Sequence, residues 1–427
     1  MTTERSALQH AKSIAIVSSG NFLEMYDFMV FGYYAPAIAR AFFPTGSEFA
    51  GLMLTLMTFG AGFLMRPVGA VVLGAYIDKH GRRKGLLLTL GLMAVGTLTI
   101  AAMPTYAAIG VAAPLLIVAG RLVQGLSAGV ELGGVSVYLS EIAPPGRKGF
   151  FVAWQSASQQ VAVVAAAAIG LAAGAWLSPA QMGDWGWRIP FAVGCVLIPA
   201  LLLVRRLLEE TPDFLARAER ATLRRIMAQV AANWSLVLRG AGLAVMTTVF
   251  FYMITAYTPT FGSKVLHLSA ASSLLVTLCV GATNFVMLPV MGAVSDRIGR
   301  RPQLIGAALV AVVSGYPAMR WLAAEPSFAR LLIVEIGFAL IFATYNGAMV
   351  VFLTEVMPPA VRTSAFSLAY SLATALFGGF TPAVATWLIH ATGDRAIPGA
   401  WLSLAAILAL GSVITFAEPT GRKPPHS

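Results

Sequence analysis

About a dozen apolar stretches, each near twenty residues long, recur along the 427 residues of this chain. A bilayer core about 30 Å thick asks for roughly 20 apolar residues per helical crossing. With 58% hydrophobic and only 11% charged residues, the chain lacks the charge that a soluble fold of this length needs for its surface. The pattern therefore predicts an all-α integral membrane protein of twelve transmembrane helices, at 13–40, 49–76, 85–103, 110–140, 150–176, 188–204, 240–262, 271–294, 303–322, 330–354, 363–389 and 398–416. Residues 1–204 form one six-helix half, and residues 240–427 form the other with a short cytoplasmic tail. Residues 205–239 read as a cytoplasmic linker, with Thr211 before Pro212 as a helix start. Glu24 and Asp27 inside the first stretch argue against a cleavable signal, so that crossing is expected to belong to the mature protein.

The formal net charge of +11 raises nucleic acid as a partner, but the basic residues sit in short breaks between apolar stretches. With both termini inside, 21 of the 29 basic residues fall on the cytoplasmic side and six on the other. Arg66 and Arg121 are the two left inside crossings. That asymmetry predicts both ends in the cytoplasm, and the lipid bilayer, not nucleic acid, as the surrounding partner. Cys195 and Cys279 lie far apart within apolar stretches, which leaves no disulfide framework and no metal motif. No cofactor is expected either. An integral-membrane enzyme would need a nucleophile with its base, a metal cluster or a phosphate loop, and no such constellation is visible.

The halves repeat. Gly74, Asp78, Gly81, Arg82 and Arg83 follow the second crossing at the same spacing as Gly292, Asp296, Gly299, Arg300 and Arg301 after the eighth. Glu141 before Pro144-Pro145 and Glu355 before Pro358-Pro359 form a second pair, and the two offsets are 218 and 214 residues. A duplicated six-helix unit is the architecture of transporters whose halves rock about a central site. The two halves supply a complete path, which predicts function as a monomer. The aspartate–arginine loops suit a gating latch, made and broken through charge-assisted hydrogen bonds, or serve topology alone through their positive charge.

Ionisable residues inside the crossings are few: Glu24, Asp27, Arg66, Arg121, Glu131 and Glu335. Each costs about 2.5–3.5 kcal/mol at a helix centre unless compensated. Glu24 and Asp27, three residues apart, share one helix face near mid-depth. Arginine presents a planar fork that matches a carboxylate and stays charged. A substrate carboxylate that engages such an arginine takes it from a protein carboxylate, which then accepts a proton more readily, so the two bindings are linked. Arg66 and Arg121 are thus candidate substrate cations, and Glu24 and Asp27 candidate proton carriers. A permanent Asp27–Arg121 pair that only holds two helices together is the competing reading. Glu131 suits either an inner vestibule or a close helix contact beside Gly129–Gly134. Glu335, five residues from Arg330, is expected at a wet position near the outer surface without a coupling role. None of the five histidines lies mid-crossing, which leaves coupling to carboxylates.

Gln124, Gln155, Gln159, Tyr252, Asn284, Tyr345 and Asn346 complete the candidate binding set, each equally suited to an interhelical hydrogen bond. Asn284 holds the repeat position equivalent to Arg66, so most positive charge stays in the first half. Tyr257 and Pro259 suit an outer gate.

The paired Gly-x-x-x-Asp-x-x-Gly-Arg-Arg loops resemble the signature of the major facilitator superfamily. The run Asn21 to Phe28, Arg66-Pro67, and Arg121 through Glu131 resemble its metabolite–proton symporter branch. The stretches Gly133–Glu141 and Trp154–Gln160 are similar to bacterial citrate–proton symporters and their tricarballylate-carrying relatives. The resemblance spans the whole chain. It implies a secondary active transporter that imports a tricarboxylate with protons, in a bacterial inner membrane, with Asp78, Arg82, Arg83, Glu141, Asp296, Arg300, Arg301 and Glu355 serving the conformational switch. A proton symporter of another small metabolite is the alternative: a dicarboxylate, a shikimate-like acid or a zwitterionic osmolyte.

Overall fold

A computed structural model describes residues 20–80, 82–129, 131–206, 228, 231–358 and 362–416. The first half comprises α1 (Gly20–Tyr33, continued by Ala35–Phe42), α2 (Glu48–Leu64 and Arg66–His80) and α3 (Arg82–Ala102). It is completed by α4 (Ala112–Ala128 and Glu131–Ile142), α5 (Lys148–Trp176) and α6 (Arg188–Arg206). The second half begins with α7, which runs from Trp234–Tyr252 through Met253–Tyr257, Thr258–Thr260 and Phe261–Val265, followed by α8 (Ala270–Ile298) and α9 (Arg300–Ala324). Then come α10 (Phe328–Val356), α11 (Arg362–Ala373, Thr374–Gly378 and Thr381–Thr392) and α12 (Pro398–Thr415). Nine described segments are long and apolar enough to cross a membrane, and Leu87–Ala102 and Arg188–Pro199 are shorter apolar helices. With α1 these make the twelve expected passes. Most of the expected linker, residues 207–227 with 229 and 230, and the tail from residue 417 lie outside the described residues.

The helices outrun their apolar stretches where polar caps hold the ends. The α8 helix extends to Ile298, four residues past the apolar stretch, and stops at Gly299 with φ of +98°. The side chains of Ser269 and Ser327 accept hydrogen bonds from Ser272 N and Arg330 N and start α8 and α10. Inside the bundle, hydroxyls fold back on their own helix: Thr55 donates to Gly51 O at 3.0 Å and Thr277 to Ser273 O at 3.0 Å, which hides them from hydrocarbon.

Proline shapes the passes that will matter. Pro67 has no N–H to give, and α2 reseats at Met65, with Gly69 N donating to Met65 O at 2.8 Å. The π-helical turns Met253–Tyr257 and Thr374–Gly378 precede Pro259 and Pro382 in α7 and α11, where they absorb the lost hydrogen bond.

The burial pattern is that of a protein in lipid. Val95, Leu115, Val196, Val313, Ile333 and Ile414 face outward, each more exposed than buried. Trp176, Trp185, Trp321 and Trp387 stand exposed near helix ends, where amphipathic rings suit a membrane interface. The spans of α7 and α10 are 78% and 72% buried against 39% for α9, so α7 and α10 lie centrally and α9 at the periphery.

The halves meet through α5 on α8, α2 on α11, α1 on α7, and α4 on both α10 and α11. Within the first half α2 and α4 touch backbone to backbone: a Cβ on Gly125 would overlap the Gly62 carbonyl, and one on Gly69 the Leu126 carbonyl. This contact sets Arg66 and Arg121 side by side. Gly125→Val is expected to destabilise the protein by about 1–3 kcal/mol or more, since overpacking forces backbone to move. Thermal unfolding in detergent measures it, against Gly134→Val, where a Cβ meets open space.

Candidate functional site: two buried arginines in an aromatic cage

The acidic pair on α1 engages two cations, one each. Arg66 Nη2 donates to Glu24 Oε1 at 2.6 Å, tying α2 to α1. Arg121 Nη1 lies 3.6 Å from Asp27 Oδ2 and donates to Gln124 Oε1 at 2.9 Å. Gln124 in turn donates through Nε2 to Asp27 Oδ2 in a very short hydrogen bond and approaches Thr97 of α3 at 3.3 Å. The amide therefore relays between carboxylate and guanidinium and closes a network over α1, α3 and α4. Arg66 is 2% exposed, while Arg121 and Asp27 are fully buried.

Aromatic rings complete the enclosure. The Arg121 guanidinium sits 4.2 Å from the Phe28 ring and 4.5 Å from Phe31, and Arg66 lies 4.6 Å from Phe63. Phe59 packs edge-on against Phe63, and Tyr252 of the second half packs edge-on against both. Cation–π contacts of this kind contribute up to about 2 kcal/mol when desolvated. They replace water around the cations without consuming their hydrogen-bond donors. Asp27 Oδ1, Arg66 Nε, and Arg121 Nε and Nη2 are buried without a partner among the described residues. Donors left idle on two adjacent guanidiniums are what a carboxylate ligand would use.

The remaining candidates divide. Gln155 on α5 accepts from Ser156 Oγ through Oε1, and its Nε2 has no partner; Gln159, one turn on, is buried. Asn284 of α8 is buried with both amide atoms unsatisfied, and Asn346 Oδ1 on α10 is likewise idle. Tyr345 donates to Leu243 O at 2.9 Å and so binds α10 to α7. Tyr257 meets Thr386 at 2.8 Å, joining α7 to α11 at the end of the bundle away from the basic loops. The Glu131 side chain lies outside the described residues.

At the basic end, the second-half loop reaches across to the first half. The Asp296 carboxylate accepts from Gly149 N at 2.8 Å and Phe150 N at 3.0 Å, capping the first turn of α5. Arg300 holds that carboxylate at 2.7 Å and reaches Glu355 at 3.4 Å. Gly149 and Gly292 make the approach possible: a Cβ on either would strike the other's carbonyl oxygen. Arg301 instead turns outward to Ile414 O at 3.5 Å. Glu141 is exposed, and the side chains of Asp78, Arg82 and Arg83 lie outside the described residues. At the opposite end a Cβ on Gly32 would sit 3.0 Å from Ala256 O, while Gly60 and Gly379 press on Phe380 and Phe63 nearer the cage. The halves therefore touch on both sides of the arginine cage.

Comparison with known proteins agrees with this architecture. The model of the sugar (and other) transporter family matches residues 13–423. The chain belongs to that family of the major facilitator superfamily. It is 58% identical over 400 residues to the citrate-proton symporter of Salmonella typhi, covering 94% of this chain and 92% of that one. It is 58% identical over 398 residues to the citrate-proton symporter of Klebsiella pneumoniae, covering 93% and 90%. Its fold superposes on the crystal structure of a D-xylose-proton symporter with a TM-score of 0.78 at 19% identity, covering 98% of this chain and all of that one.

One expectation is overturned. Glu335 is 1% exposed, not wet: its position is shallow in sequence terms, but its helix face turns inward onto α7. The rings of Phe28, Phe31, Phe59 and Phe63 had no place in the sequence reading. Their spacings of three and four residues, on the helices that carry Glu24, Asp27 and Arg66, were the available signal.

Glu24→Gln is expected to cost about 3–5 kcal/mol, because Arg66 would stay buried without its counter-charge, while Glu24→Gln with Arg66→Gln recovers most of the loss. Thermal unfolding of purified protein checks both. Asp296→Ala should open the basic end, raising the rate at which a cysteine placed at Ala153 reacts with a membrane-impermeant maleimide; an unchanged rate would show that the cap does not hold the halves together.

Proposed function

We propose that this chain is a secondary active transporter that imports a tricarboxylate, citrate or tricarballylate, in symport with protons by alternating access. The observation that carries the reading is the pair of caged guanidiniums with idle donors, each engaged by a carboxylate of the same helix. The names of the symporters to which it is 58% identical over 400 and 398 residues point to citrate in particular.

Arg121 and Arg66 bind substrate carboxylates, with Gln124, Gln155, Gln159, Tyr252, Asn284, Tyr345 and Asn346 around them. A citrate carboxylate arriving at Arg121 competes with Asp27 for the same fork. Gln124, bonded to both, swings with the exchange. Asp27 then takes a proton and travels neutral with the substrate; Glu24 does the same against Arg66, and Glu131 belongs to this carboxylate set. Release of substrate returns each arginine to its carboxylate and expels the proton. Because the linkage is reciprocal, an inward proton gradient raises substrate affinity on the side where protons are plentiful.

The Asp296 cap on α5 and its repeat partner Asp78, with Arg82, Arg83, Arg300, Arg301, Glu141 and Glu355, form the latch of the basic end. That end faces the cytoplasm of a bacterial cell, where both termini lie, and one chain within the lipid of the inner membrane suffices for transport.

Radiolabelled citrate in inside-negative vesicles tests the reading. Saturable uptake is expected to rise with external acidity, to fall with tricarballylate, and to collapse with a protonophore. Arg121→Gln is expected to reduce it by about 30-fold or more, as for loss of one partner of a buried charge pair. Transport of succinate or betaine in place of citrate would refute the substrate, and uptake indifferent to protonophore would refute the proton coupling.

A further inference from the structure

Glu335 lies two turns into α10, 1% exposed, with no ion-pair partner among the described residues and with Oε2 buried and unbonded. The described cations near that end are engaged or turned away. Arg330 of its own helix pairs with Glu325 at 2.5 Å and with Trp321 O at 3.0 Å. Lys264 of α7 reaches Glu48 at 3.4 Å, and Arg320 of α9 is exposed. On α8, the hydroxyls of Ser273 and Thr277 return to their own backbone at 3.1 and 3.0 Å. Tyr257 of α7 is bonded to Thr386, and Tyr33 of α1 to Val163 O. A carboxylate so placed has no counter-charge, and a charge that is buried without one is far more costly than the same group carrying a proton.

Its neighbour is the broken part of α7. Glu335 sits between Leu331, which packs near Gly262, and Phe338, which packs edge-on against Phe250, so it faces the segment Met253–Val265. Thr258 is the hydroxyl beside it. That hydroxyl donates to Met253 O at 3.2 Å, across the π-helical turn. A hydroxyl that gives its proton to a carbonyl presents a lone pair to its other neighbour, and only a carboxyl that holds a proton can bond to a lone pair. The same turn carries the contact with the first half: Ala256 closes on Gly32, and Thr260 approaches Gly32 O at 3.5 Å.

We propose that Glu335 is a further proton-binding site of the transport cycle, the one located in the second half, coupled through Thr258 to closure of α7 on α1. With a proton on Glu335, Thr258 bonds Met253 and the π-helical turn stays wound against α1. Without it, the carboxylate takes the Thr258 hydroxyl for itself, the Met253 carbonyl loses that bond, and the turn loosens away from Gly32. The proton enters from the side that α7 uncovers and leaves the carboxylate behind when it is returned. The inference rests on the proton-symport reading above, but the group itself can be observed without any substrate.

The test is a pair of measurements on full-length protein in proteoliposomes. Infrared difference spectra between acid and alkaline medium, without substrate, are expected to show a buried carboxylic C=O band that Glu335→Gln removes and that Thr258→Val shifts in frequency. Proton uptake per citrate, read with a pH electrode, is expected to fall in Glu335→Gln and to return in Glu335→Asp, while citrate counterflow persists in all three variants. A band and a proton count unchanged by Glu335→Gln would overturn the proposal. Should that variant fail to fold, an infrared spectrum unaltered by Glu335→Asp and Thr258→Val would overturn it equally. A wild type that carries no citrate would refute the substrate reading alone, since the infrared band does not depend on it.

Discussion

Two guanidinium groups held away from water, side by side in an apolar bundle, constrain everything around them. Neither can be neutralised by giving up a proton under any ordinary condition, so the protein must supply charge and polarisable surface in place of water. It does so with one carboxylate each from a single turn of α1 and with a collar of phenylalanines that touch the flat faces and leave the edges free. The glycine contact of α2 with α4 and the break of α2 before Pro67 follow from the same need, because both bring the cations to one depth. Buried ion pairs add little to stability against an apolar replacement, so an arrangement this elaborate is better explained by what it does than by what it holds together.

The positive site lies in the first half, and the second half answers with neutral amides and an aromatic ring. Asn284 stands where the repeat would place a second arginine, with both amide atoms idle, and Tyr252 closes the cage from across the interface. An anion bound there would touch both halves. Its binding energy is then available to draw them together, which is how a ligand shifts a two-state equilibrium. The Asp296 cap at one end and the Gly32–Ala256 contact at the other are the discrete contacts such a shift would exchange.

Much of this was legible in the sequence. Hydropathy placed the twelve passes because hydrocarbon demands long apolar helices, and the loop repeat exposed the duplication. The embedded charges Glu24, Asp27, Arg66 and Arg121 stood out since each is expensive in a membrane. What one sequence could not give was which way a helix faces in an all-apolar neighbourhood, where no wet side breaks the symmetry. That is why Glu335 read as peripheral, and why Phe28, Phe31, Phe59 and Phe63 passed as ordinary apolar residues. The pairing of Glu24 with Arg66 and of Asp27 with Arg121 and Gln124 likewise depends on interhelical register, which spacing along one helix does not encode.

In the proposed cycle a substrate carboxylate displaces Asp27 from Arg121, and the freed aspartate takes up the proton. The most direct measurement is calorimetric titration of citrate into the purified protein in buffers of different ionisation enthalpy, at a pH where free citrate is fully ionised. The account predicts net proton uptake by the complex, diminished in Asp27→Asn even where citrate still binds. Citrate binding with no proton uptake in the wild type would contradict it.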